Sequence, residues 1–117
     1  MKYENFQTFD VRVAGGIATV TFNFGSVNVQ GQEMLADLSS LAMRLERDRE
    51  TKVVIFQSAN PEIWICHYDT ELLKDMSTEA VSRDDAQLLD LQAVCERISK
   101  VPQATIAKLE GFARGGG

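Results

Sequence analysis

Residues 110–117 read EGFARGGG, Glu-Gly-Phe-Ala-Arg-Gly-Gly-Gly, directly after the apolar run ATIAKL at 104–109. A glycine run loses more backbone entropy on folding than any other, so it belongs where backbone turns sharply or comes very close to something. The apolar run reads as a buried strand over 104–108, Gly111 turns the chain, and residues 113–117 read as the approach to a further helix. A turn of this kind sets free backbone N–H groups beside the C-terminal end of a strand, where ligands of open α/β sheets bind. The helix macrodipole adds positive potential there, which suits a phosphate or a developing oxyanion. Close helix packing is the plainer explanation of the same glycines. No G-x-x-x-x-G-K-[ST] and no G-x-G-x-x-G after a strand accompanies them.

Upstream, TFDVRV at 8–13 alternates Phe9, Val11 and Val13 with polar partners, and IATVTF at 17–22 puts Ala18, Val20 and Phe22 on one face. Period two predicts strands, and Ala14-Gly15-Gly16 between them predicts a hairpin. Residues 24–28, FGSVN, are a loop. Met34, Leu35, Leu38, Leu41, Ala42 and Leu45 recur at spacings of three and four, which predicts an amphipathic helix over 31–48. The charged set Arg44, Glu46, Arg47, Asp48, Arg49 and Glu50 reads as the solvated end of that helix, its arginines being secondary candidates for intersubunit contacts. VVIF at 53–56 predicts a strand buried on both faces, and strand, helix, strand in this order predicts a right-handed crossover.

The stretch 58–71, SANPEIWICHYDTE, reads as a loop opened by Asn60-Pro61, with Ile63, Trp64 and Ile65 as a hydrophobic plug and Asp69 as the cap of a short helix. Ser82-Arg83-Asp84-Asp85 resembles a capping box opening a helix over 82–100 through Leu88, Leu91, Val94 or Cys95, and Ile98. Pro102 stops it. The order ββαβ(α)αβ, closed by an unfinished strand–turn–helix, is that of an α/β fold with a parallel sheet. It predicts that residues 1–117 are the N-terminal part of one larger domain.

Composition narrows the function. The net charge is −5, and between Glu62 and Glu96 nine acidic residues face two basic ones, Lys74 and Arg83. That excludes the basic footprint a nucleic-acid surface needs. No apolar run approaches the ~18 residues that span a bilayer, and Met1 to Phe6 lack a secretory core, so the expected location is cytoplasmic. Cys66 and Cys95 are the only cysteines and His67 the only histidine. A cytoplasmic chain argues against a disulfide, and adjacent Cys66 and His67 point differently, so no metal site is expected.

The loop 64–69, Trp-Ile-Cys-His-Tyr-Asp, follows the buried strand that precedes the glycine-turn strand. Two neighbouring parallel strands would bring both loops to one sheet edge, each offering an N–H group to one oxygen. In this order of elements the chain resembles the N-terminal part of the enoyl-CoA hydratase/isomerase, or crotonase, superfamily. The hairpin, the Asn28 loop before a long helix, the strand at 53–56, the loop ending in Asp69 and the closing GFARGGG carry the likeness along essentially the whole chain. The last is similar to the family's NG-x-x-x-GGG, with Glu110-Gly111 where Asn-Gly is frequent.

The resemblance implies a crotonase-like spiral of parallel strands and helices, incomplete at its C-terminal side. It implies an acyl-CoA substrate, no cofactor beyond the coenzyme A of that substrate, and a homo-trimer or hexamer in full-length form. By the family's pattern the backbone N–H groups of Tyr68 and Gly116 form an oxyanion hole for a thioester carbonyl. Ser26, Val27, Cys66, His67, Tyr68, Asp69, Thr70, Gly115 and Gly116 border the substrate. Where the family usually writes F-x-A-G-A-D, this chain has His67 in place of a common glycine, implying strained backbone or a different turn. Tyr68 replaces a small residue, so its ring would line or occupy the acyl pocket. His67 reads either as a loop histidine held by a backbone hydrogen bond or as a general base, Tyr68 as a proton donor beside its backbone role, and Asp69 as a cap or a base. The family's acid/base carboxylates fall beyond these residues, so the reaction stays open. A non-catalytic scaffold, its site closed by His67 and Tyr68, is the alternative.

Overall fold

The protein is described by a computed structural model covering residues 2–76, 78–86 and 89–117. In chain order the elements are β1 (Phe9–Ala14), β2 (Ile17–Phe22), α1 (Gln32–Arg47), β3 (Val53–Ser58), β4 (Ile63–Ile65), α2 (Asp90–Ser99), β5 (Ala104–Ala107) and β6 (Phe112–Ala113). Short 3-10 segments, Thr70–Asp75 and Arg83–Asp85, lie between β4 and α2.

The period-two segments pair antiparallel from Phe9↔Phe22 to Ala14↔Ile17. Gly15 and Gly16 close that hairpin at φ +58° and +78°, the left-handed pair a two-residue turn requires. The Gly16 carbonyl then accepts hydrogen bonds from Lys52 N at 2.8 Å and Val53 N at 3.2 Å, which fixes where β3 begins. β3 runs parallel to β2, and β5 parallel to β3, giving one sheet ordered β1-β2-β3-β5.

α1 covers this sheet with Met34, Leu35, Leu38, Leu41, Ala42 and Leu45, the six residues the spacing predicts, all buried. All but Leu35 meet Ala18, Val20 and Phe22 of β2 and Val54 and Phe56 of β3 in one core. Phe22 lies edge-on to Phe9 and to Trp64, with centroids 5.8 Å and 5.3 Å away, and stacks on Phe56 at 6.1 Å. Trp64 and Ile65 are thus the expected plug.

Several expectations are corrected. β3 buries Val54 and Phe56, while Val53 and Ile55 on the other face are only half-buried. β5 is a strand as its sequence predicts, but all four of its residues are exposed, Ile106 by 51 %. An apolar run specifies extended backbone; burial depends on what lies against it, and β5 is the edge of this sheet. Ser82 caps as predicted, accepting from Asp85 N, yet only for the one-turn segment Arg83–Asp85. The helix proper is α2, opened by Gln92 Oε1 accepting from Leu89 N at 2.9 Å. Leu91, Val94 and Ile98 are half-buried and Cys95 is exposed, while Leu88 lies outside the described residues. Gly111 turns the chain as expected, at φ +76°, and Phe112–Ala113 after it form the short strand β6.

Asp48 is not solvated. It is 8 % exposed and accepts from the Tyr3 hydroxyl and the Thr51 hydroxyl, both at 2.6 Å, and from Glu50 N at 2.8 Å. Arg44 of the same charged set holds the N-terminal segment, donating to Glu4 O at 2.9 Å and lying 4.6 Å over the Phe6 ring.

Candidate functional site

The two loops do reach one edge, by a different route. β4 and β6, too short to be read from periodicity, pair in parallel as a second small sheet. Gly111 permits this: a Cβ there would overlap the Glu62 carbonyl, and Phe112 N donates to that same oxygen at 2.9 Å. Residues 66–69 therefore leave β4 beside residues 114–117 leaving β6. Arg114 N donates to Ile65 O at 3.4 Å, and Gly117 N to Arg114 O at 2.9 Å, closing a turn around Gly115 (φ +54°) and Gly116.

A third run of backbone, residues 27–30, lies along the first loop. Cys66 N donates to Val27 O at 3.2 Å, Gln30 N to His67 O at 3.0 Å, and Asp69 N to Gln30 O at 2.9 Å. In this parallel bridge Gln30 spends both its backbone groups on the residues either side of Tyr68, and Tyr68's own N–H and C=O face away from it. The Tyr68 carbonyl accepts from His67 Nδ1 at 2.6 Å, which makes Nδ1 the protonated ring nitrogen. Among the described residues, neither the Tyr68 N–H nor the Gly116 N–H has a partner. The turns are neighbours: a Cβ on Gly115 would lie 3.7 Å from His67 Cβ and 3.8 Å from Tyr68 N.

Asn28 holds the ensemble together, a role its sequence position does not reveal. It adopts φ +49°, which asparagine tolerates better than most residues, and is 3 % exposed. Its Oδ1 accepts from Phe24 N at 2.8 Å, and its Nδ2 donates to Ser58 Oγ and to Trp64 O, both at 2.9 Å. One side chain thus joins the loop before α1, the end of β3 and β4.

His67 is the histidine held by a backbone carbonyl, exposed, and its φ is not among the positive values, so histidine sits at this position without backbone strain. Asp69 is a cap: its side chain accepts from Glu71 N at 3.1 Å at the start of Thr70–Asp75. Thr70 is the exposed first residue of that turn. Ser26 is exposed on the rim, its carbonyl accepting from Asn60 Nδ2 at 3.3 Å. Val27 and Cys66 are joined by the Cys66 N–H, and Gly115 lies beside Tyr68. Tyr68 also borders a cleft of about 850 Å³ with Leu35, Ser39, Leu72, Leu91 and Val94, between α1, the Thr70–Asp75 turn and α2. A smaller cavity of about 420 Å³ is formed by the N-terminal segment, and no candidate residue borders it. Both thiols are free, Cys66 half-buried and Cys95 exposed. Among the described residues no group of three His, Cys, Asp or Glu could hold a metal, and no helix is long and apolar enough to cross a membrane.

No protein-family model matches the chain. The bovine (Bos taurus) protein called enoyl-CoA hydratase domain-containing protein 2, mitochondrial, is 31 % identical over 103 residues, covering 87 % of this chain and 34 % of that protein. The chain therefore spans about a third of the length of this relative. A crystallised protein of Streptomyces avermitilis, assigned as an enoyl-CoA hydratase, is 34 % identical and superposes with a TM-score of 0.81 over 97 % of this chain and 42 % of the other. The enoyl-CoA hydratase of Bacillus anthracis, at 21 % identity, shares the fold alone, with a TM-score of 0.78 over 95 % of this chain and 43 % of its own. On this likeness in sequence and fold, the chain belongs to the enoyl-CoA hydratase/isomerase, or crotonase, superfamily, spanning about two fifths of the length of its structural relatives.

Proposed function

We propose that residues 1–117 are the N-terminal, carbonyl-binding part of a single crotonase-like domain whose full-length form acts on an acyl-CoA thioester. The unpartnered N–H groups of Tyr68 and Gly116, on two adjoining turns, carry this reading. Together they would hold the thioester oxygen and stabilise the enolate-like charge that develops on it. The acyl chain would enter the cleft beside Tyr68. Such chemistry calls on no redox cofactor or metal, because coenzyme A comes with the substrate. Hydration or isomerisation of an enoyl-CoA, as in fatty acid metabolism, is the reaction we favour, with carboxylates supplied by the rest of the domain. A homo-trimer or hexamer is the assembly we expect. The free thiols fit a reducing compartment; we favour the cytoplasm, with the mitochondrion of the bovine relative's name as the alternative, and fractionation of cells expressing the full-length protein distinguishes the two. No observation favours a closed scaffold: Tyr68 borders the cleft, and His67 is turned onto its neighbour's carbonyl.

The test is hydrogen exchange on the full-length protein. Saturating acyl-CoA should protect residues 64–70 and the glycine turn together. Exchange that stays unchanged at both turns would defeat the assignment.

A further inference from the structure

Gln30 is 3 % exposed, and its Oε1 is buried without a hydrogen-bond partner among the described residues. That oxygen lies against the glycine turn, where a Cβ on Gly116 would overlap it and would also come within 3.3 Å of Leu91 Cδ2. Gly116 is not at positive φ, so its backbone would accept alanine; the carboxamide is what demands glycine. The same residue brackets Tyr68 through its main chain, donating to His67 O and accepting from Asp69 N. A buried amide oxygen without a partner is costly, and a leucine of similar size would fill the space without that cost.

We propose that Gln30 is the positioning residue that sets the two proposed oxyanion donors against each other. Its backbone turns the Tyr68 N–H outward, and its carboxamide seats the turn that carries the Gly116 N–H. The inference rests on the oxyanion reading of Tyr68 and Gly116. Donor geometry matters steeply here, since a misplacement of about 1 Å costs up to ~10²-fold in rate.

The experiment uses the full-length protein with butyryl-CoA isotope-labelled at its carbonyl, read by vibrational spectroscopy, alongside steady-state kinetics with a short enoyl-CoA. In wild type the bound carbonyl stretch should shift down. Gln30→Leu keeps the backbone bracket and removes the carboxamide. It should keep its fold by circular dichroism, with an equal or higher melting temperature, show a smaller carbonyl shift, and lose about 10–100-fold in kcat while KM changes little. A residue that only filled space would leave the carbonyl frequency and the split between kcat and KM untouched. Gly116→Ala retains the N–H and should lose the same amount by displacing the carboxamide, and the double variant should be no worse than either single one. Should Gln30→Leu fail to fold, Gln30→Met gives the same readouts with a flexible side chain. Wild-type kcat and carbonyl shift in Gln30→Leu, or losses that multiply in the double variant, would overturn the Gln30 assignment alone. A wild-type carbonyl with no shift would overturn the oxyanion reading and this one with it.

Discussion

Asp48 and Gln30 are both buried polar side chains, and the molecule treats them in opposite ways. Asp48, at the end of α1, receives two hydroxyls and the N–H groups of Glu50 and Thr51. The Thr51 hydroxyl first, then the Tyr3 phenol, hold its carboxyl well below the usual carboxylate range. Burial, reinforced by Asp48, pushes the Tyr3 phenol above its ordinary value. Gln103 adds to the same corner, donating from Nε2 to Leu45 O at 2.8 Å and Asp48 O at 3.2 Å. Gln30 is as deeply buried, and its oxygen has no such company. A fully bonded carboxylate fastens the N-terminal segment to the helix; an unbonded amide beside the glycine turn serves no such end. Gln103 Oε1 is also buried without a partner among the described residues, so what singles out Gln30 is the place of its oxygen against the glycine turn.

The sharpest break of that contrast is Gly116→Pro in the full-length protein. Proline removes an N–H that has no partner among the described residues, and its Cβ meets the Gln30 carboxamide as that of alanine does, so Gly116→Ala is the control and the fold is checked by circular dichroism. Loss of one oxyanion donor should cost roughly 10²–10³ in kcat, about 3–4 kcal/mol. Unchanged turnover would strike Gly116 from the site.

Asp48→Ala should do the reverse. Leaving the Tyr3 and Thr51 hydroxyls without their acceptor should lower stability in urea by about 3 kcal/mol, with kcat of the folded protein unchanged. The pH dependence has a definite sign. A carboxyl held low contributes stability that is in force above its ordinary value of 3.8 and is lost as pH falls below it. Wild type should therefore weaken in acid more steeply than Asp48→Asn; equal slopes in the two would show that the node carries no titrating load.

The smallest effect expected is at Tyr68→Ala, which keeps the backbone donor and removes the ring from the cleft. The preference for long over short acyl-CoA, as a ratio of kcat/KM values, should rise roughly tenfold. If turnover instead vanishes on every chain length while the fold persists, the phenol takes part in the chemistry.

What could be read from sequence follows the reach of each signal. The buried face of α1 and the first hairpin were legible because many residues repeat one period. β4 and β6, three and two residues long, are shorter than any period and exist only through each other. The exposure of β5 was illegible because hydrophobicity reports the residue and not its neighbours. Asp48 sat in a charged run that looked solvated, and the return of Tyr3 and Gln103 from distant parts of the chain closes over it. The closeness of 66–69 to 114–117 was anticipated from the order of elements, though not the small sheet that produces it. Gln30 had no signal at all: between Val29 and Gly31 it looks like an ordinary polar loop residue, and its meaning lies in the distant glycine it touches.

The bond from Lys52 and Val53 to the Gly16 carbonyl also bears on how the chain finds its fold. A hairpin forms locally in microseconds, whereas bringing β3 alongside β2 first requires closing the long crossover through α1. A parallel strand that slips by one residue turns its whole apolar face outward. The hairpin tip removes that ambiguity, because the incoming strand meets a carbonyl that accepts only its first residues. β2 with its turn is thus a ready-made template on which the Gly16 carbonyl marks where β3 begins.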